Sequence, residues 1–142
     1  RLIRRQRQMC IRDSHRMGLR TLSMCVRSAD RATVEGMSVP VAELTRIAEQ
    51  VLAARAGLSA LDVQWVERED ERGLTRLFLR VSARLGPIDE AEVAHRILEG
   101  LRRQGRTGRV HAGIWSEAGS IRIVREEPRP TARGKMLPFV RE

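Results

Sequence analysis

The sequence has no tyrosine, only two phenylalanines and two tryptophans, and a single lysine among 27 basic residues. Its two cysteines, Cys10 and Cys25, lack any paired spacing, so neither a disulfide framework nor a zinc site follows from them. No metal centre is expected. No apolar run approaches the roughly 20 residues of a bilayer span, which argues against a membrane segment or secretory leader and for a soluble, cytoplasmic protein. Trp65 and Trp115 lie on separate segments and make no base-stacking platform by themselves, so core or sheet-face positions are expected for them. No Gly-rich phosphate loop ending in Lys and Ser/Thr occurs.

The 142 residues, 42% of them apolar, suit one modest globular domain and are too few for most complete two-substrate enzymes. The net charge of +9 invites a nucleic-acid partner until its location is considered. Residues 1–33 hold nine arginines against Asp13 and Asp30, so +7 of the +9 resides there and +2 is left for the remainder. A nucleic-acid partner is therefore not expected. Gln8-Met9-Cys10-Ile11-Arg12-Asp13-Ser14 resembles a translated transposase-end sequencing adapter. Residues 1–14 are accordingly read as a disordered artefact and set aside from the fold. Residues 15–26 carry apolar positions that fit a short strand without a nameable partner, and are read as a truncated entry segment.

From Pro40 the pattern is regular. Leu44, Ile47, Ala48, Val51 and Leu52 form one apolar helical stripe of about four turns, with Gly57 able to end it. Residues 62–67 predict a strand with Val63 and Trp65 on one face, and the charged run to Gly73 predicts a turn. The returning strand over 74–85 alternates Leu77, Leu79 and Val81 with Arg76 and Arg80, which are expected to point into solvent. Asp89 and Glu92 have the spacing of a helix cap before the stripe Val93, Ile97, Leu98 and Leu101, which runs to Gly105. Val110, Ala112 and Ile114 alternate as a strand, and residues 121–124 as another. The expected fold class is α+β: a small two-layer sandwich with a mainly antiparallel sheet and two amphipathic helices on one face.

The solitary lysine, Lys135, carries the chemical signal. Arginine presents a wide planar fork, whereas an ammonium is a compact charge able to enter between two oxygens of a reacting complex. Lys135 sits in Pro128-Arg129-Pro130-Thr131-Ala132-Arg133-Gly134-Lys135, directly after a strand. This segment resembles the C-terminal Pro-Arg-Thr-x-x-Gly-Lys loop of adenylate-forming acyl-CoA synthetases, with Pro130 as an extra residue. Arg27-Ser28-Ala29-Asp30-Arg31, followed by Val34-Glu35-Gly36-Met37-Ser38-Val39-Pro40, resembles the hinge and glycine segment of the same superfamily. The phenylacetate-CoA ligase group looks most similar, over about residues 26–142. The family's hinge reads Arg-x-Asp-Asp. Counting back from Gly36 places Ala29 at the first acidic position, and a one-residue shift makes Asp30 the pivot. Val26 stands where the family has glycine, and one residue is missing before Pro40.

The resemblance implies ATP-dependent activation of a carboxylic acid to an acyl-adenylate, then thioester formation with coenzyme A. ATP and coenzyme A would be substrates, with Mg²⁺ accompanying ATP and none of them bound by this chain alone. Lys135 would be the catalytic residue of adenylation and Gly134 part of its loop. Asp30 and Arg27 would lie at the hinge, Arg27 near the nucleotide. Gly36 would allow close backbone approach on a second face that the domain presents after rotating. Residues 15–36 would be entry segment and hinge, and 37–142 the C-terminal lid. The partner would be a large N-terminal adenylation domain, absent here, which holds the acid pocket, so the fragment alone is expected to be inactive.

The competing reading is a ferredoxin-like module that binds a small ligand or RNA without catalysis, through Arg102, Arg103, Arg106 and Arg109. These arginines also complement the dipole of the helix they follow. His95 near Glu92 and Glu99 reads as an ordinary surface histidine, His15 and His111 have no evident companions, and Cys25 reads as a small apolar residue.

Overall fold

A computed structural model describes residues 31–142. Strands β1 (Arg31–Val34) and β2 (Met37–Pro40) form an antiparallel hairpin, closed by Glu35 at φ 52° and Gly36 at φ 71°. Two successive positive φ values give the turn the twist that matches its strands, and glycine takes that conformation without cost. Ala32, Val34 and Val39 point from this hairpin into the core, so the boundary expected between residues 36 and 37 falls inside one structural unit.

Helix α1 (Val41–Leu52) follows directly, burying Val41, Leu44, Ile47, Ala48 and Leu52. It is shorter than the roughly four turns expected and stops before Gly57. The apolar stripe ends at Leu52, and the chain turns there with Arg55 N donating to Leu52 O at 2.9 Å. Strands β3 (Val63–Glu69) and β4 (Thr75–Val81) make the expected antiparallel hairpin, in a register that sets Gln64 opposite Arg80 and Arg68 opposite Arg76. Helix α2 (Glu90–Arg102) starts where its cap predicts: the Asp89 carboxylate accepts from Glu92 N at 3.0 Å, a contact typically worth about 1 kcal/mol.

Residues 110–114 correct the sequence reading. They belong to helix α3 (Gly105–Ala118), not to a strand. Gly108, Ala112 and Trp115 face inward at helical spacing, whereas Val110 is half exposed. Gly108 is required by the corner between α2 and α3, since a Cβ there would lie 2.1 Å from Leu101 O. Beyond α3 come β5 (Ile121–Val124) and β6 (Phe139–Arg141). The sheet order is β5-β4-β3-β6, with the central pair antiparallel and both outer strands parallel to their neighbours.

The α+β class and small sandwich hold, with three helices in place of two. Val63, Trp65, Leu77, Leu79, Val81, Ile121 and Ile123 of the sheet join the helices and the β1–β2 hairpin in one core. Trp65 and Trp115 are both core residues, as expected, and Trp115 Nε1 donates to Val34 O at 3.1 Å.

Arg76 and Arg80 are not solvated: they are 5% and 0% exposed. The sheet face opposite the helices is covered as well, because Val66 and Phe78 occupy it beside the arginines and are buried. The Arg68 guanidinium lies 4.1 Å over the Phe78 ring. Arg76 reaches Glu35 at 2.6 Å and Asp70 at 3.1 Å, so the second face is sealed by paired charges where a helical layer is lacking.

Candidate functional site

Lys135 lies on a narrow loop between β5 and β6, closed by an antiparallel bridge between Pro130 and Met136. Thr131 N donates to Lys135 O and Gly134 N to Thr131 O, each at 2.8 Å. The Thr131 hydroxyl accepts from Lys135 N at 3.2 Å. Gly134 has φ 73°, a left-handed conformation that lets the chain reverse immediately before the lysine. The residues at 132–135 are exposed, and none of the ion pairs among the described residues involves Lys135. The loop therefore presents one ammonium, with Arg133 beside it, to whatever approaches from outside.

The base of that loop is anchored by a residue that sequence reasoning passed over. Gln64 is fully buried at the start of β3. Its amide nitrogen donates to Arg129 O at 3.0 Å and Leu137 O at 2.9 Å, and its oxygen accepts from Arg129 N at 3.0 Å. Arg80 also donates to that oxygen, at 3.2 Å. Arg80 in turn meets Glu126 at 3.0 Å and Glu142 at 2.8 Å. Burial works against the charged guanidinium, but the hydrogen bonds and charges of Glu142 and Glu126 outweigh it and raise its pKa. In Leu77-Phe78-Leu79-Arg80, the available signal was Phe78: a large aromatic on the nominally outward face implies that the face is covered.

Gly36 lies in the turn of the separate β1–β2 hairpin. Glu35, its neighbour in the turn, pairs with Arg76 near the β3–β4 connection, whereas the lysine loop is tied to Gln64 at the start of β3. Among the described residues, nothing beyond the chain neighbours lies within 4 Å of where a Cβ on Gly36 or on Gly134 would be. Arg27, Asp30 and Cys25, with the adapter-like segment and His15, fall outside the described residues.

Of the four arginines at the α2–α3 corner, Arg102 pairs with Glu99, and Arg103, Arg106 and Arg109 are exposed. His95 is exposed on the rim of an open groove of about 490 Å³ between α1 and α2, floored by Ile47 and Val51. Among the described residues no three His, Cys, Asp or Glu side chains come together as a metal site, and no helix is long and apolar enough to cross a membrane. No protein-family model, curated protein or solved structure matches the chain.

Proposed function

We propose that this chain is the C-terminal lid of an ATP-dependent carboxylic acid–CoA ligase of the phenylacetate-CoA ligase type. The observation that carries the reading is the exposed, tightly turned loop that presents the protein's only lysine. In adenylation a carboxylate oxygen attacks the α-phosphorus of ATP and pyrophosphate leaves. Negative charge shared by the attacking oxygen and the α-phosphate is greatest in the transition state, so an ammonium between them lowers the barrier. Lys135 supplies that ammonium. A lid of this kind then turns about its hinge, for which Asp30 and Arg27 are the candidates, and offers the Gly36 end for thioester formation with coenzyme A. ATP with its Mg²⁺, the acid and coenzyme A are held by the large partner domain in this scheme.

The test joins the chain to the N-terminal domain of such a ligase and follows acid-dependent pyrophosphate release. Lys135→Ala is expected to slow release by about 10²- to 10³-fold, the usual cost of one transition-state donor. Unchanged release would overturn the proposal. The exposed Arg103, Arg106 and Arg109 favour a second reading, a small-ligand or RNA-binding module. It predicts a salt-dependent RNA mobility shift that Arg106→Glu with Arg109→Glu abolishes and Lys135→Ala leaves intact.

A further inference from the structure

We infer that Gln64 is the positioning residue of the Lys135 loop: its buried amide clamps both strands of that loop, and Arg80 locks the amide's orientation. The inference deepens the ligase reading and rests on it for the identity of the step affected. An amide side chain offers two donors and one oxygen with two acceptor sites. Here two donor contacts reach carbonyls on opposite strands of the loop, Arg129 O and Leu137 O, and both acceptor sites are taken, by Arg129 N and Arg80. Exchanging the amide's oxygen and nitrogen would set an NH₂ group against two donors and an oxygen against two carbonyls, so only one orientation satisfies the site.

Arg80 enforces that orientation because it is itself fixed. Glu126 and Glu142 hold its Nε and one terminal nitrogen, leaving the other terminal nitrogen for Gln64. The clamp grips residues 129 and 137, just outside the Pro130–Met136 bridge. With both stems held, the excursion of Lys135 is confined to a turn already closed by Thr131 and Gly134. Displacing a reacting group by about 1 Å can cost on the order of 10²-fold in rate, so a side chain that fixes the stems acts on adenylation without touching substrate.

The experiment uses two variants. Gln64→Met removes every hydrogen bond at nearly constant volume. Gln64→Glu keeps a charge partner for Arg80 and an acceptor for Arg129 N, and loses both donors. On the full chain, amide hydrogen exchange at Thr131 and Gly134 is expected to accelerate about tenfold or more in Gln64→Glu, while Leu79 and Val66 in the central strands stay protected. Unchanged exchange at the loop in Gln64→Glu overturns the inference whatever the ligase assay shows. Should Gln64→Met unfold, Gln64→Glu decides alone.

In the joined ligase, Gln64→Glu is expected to lower kcat for acyl-adenylate formation about 10²-fold with KM for ATP and acid unchanged. Thioester formation from supplied acyl-adenylate should keep its rate. Full adenylation by Gln64→Glu in an enzyme that Lys135→Ala disables overturns the positioning role and leaves the ligase reading standing. Full adenylation by Lys135→Ala overturns the ligase reading, and accelerated loop exchange then still supports the clamp.

Discussion

Burial presses the pKa of Asp62 upward, but hydrogen bonds from Arg84 and from the Ser59 amide outweigh it and leave the carboxyl below its usual value. Asp70 is lowered by the Leu74 amide first, then by Arg76 and the Arg72 amide. Glu142 is lowered chiefly by its hydrogen bonds from Arg80. Among the described residues, only Glu49 moves the other way, raised by burial. A carboxyl whose folded pKa is depressed contributes stability that is complete above its unfolded pKa, about 4, and is lost as pH falls through the folded value. Three depressed carboxyls against one raised predict a melting temperature that is flat near neutrality and declines below about pH 4. The gap in melting temperature between the parent and Asp62→Asn should be open at pH 6 and should narrow steadily on acidification from about pH 4. A gap that does not change with pH would show that the Asp62 charge contributes nothing.

The same residues show what could be read in advance. The Asp89 cap, the β3–β4 hairpin and the turn before Lys135 depend on local chemistry, an Asx side chain or a glycine within a few residues, and the sequence displays them. Arg80 depends on Glu126 and Glu142, 46 and 62 residues away, and no local pattern announces partners that distant.

Helix α3 was obscured for a physical reason that belongs to elements. Three glycines in fourteen residues lower its intrinsic helicity, while Val110 and Ile114 flank Ala112 with strand-like alternation. Tertiary packing decides, because Gly108, Ala112 and Trp115 together make the face that is buried. The parallel pairing of β5 and β6 was equally illegible, since side-chain alternation does not encode strand direction. At the contact between α1 and α2, a Cβ on Gly100 would lie 2.5 Å from Ile47 Cγ2. That methyl is fixed directly to Cβ of a branched side chain, so it cannot swing aside and the helices must separate. Gly100→Ala should therefore destabilise the protein by about 1–3 kcal/mol in a denaturant melt, outweighing the helix propensity that alanine adds. Ile47→Leu, which removes Cγ2, should recover part of that loss in the double variant. Strict additivity of the two changes would refute the contact.

For the whole molecule, the decisive property is that two turns, one closing the β1–β2 hairpin near the β3–β4 connection and one between β5 and β6 tied to the start of β3, flank a four-stranded sheet covered on one face by the helices and on the other by arginine–carboxylate pairs. A sheet closed on both faces moves as a rigid body, so under the proposed function whatever brings the Lys135 end to a partner domain removes the Gly36 end from it. The two ends then serve different steps, and substitutions should separate those steps. Among the described residues, no atom beyond its chain neighbours lies within 4 Å of where a Cβ on Gly36 would be. Gly36→Leu consequently costs backbone strain of about 1 kcal/mol at its positive φ and otherwise projects a bulky group outward. In the joined ligase it should slow thioester formation by roughly 10²-fold through misplacement of the approaching thiol, and leave acyl-adenylate formation within about twofold. Lys135→Ala should do the reverse. Single-turnover measurement of pyrophosphate release and of thioester, with each variant, distinguishes the two. If either substitution slowed both steps equally, the ends would not act in alternation, and a lid turning between them could not be how this chain works.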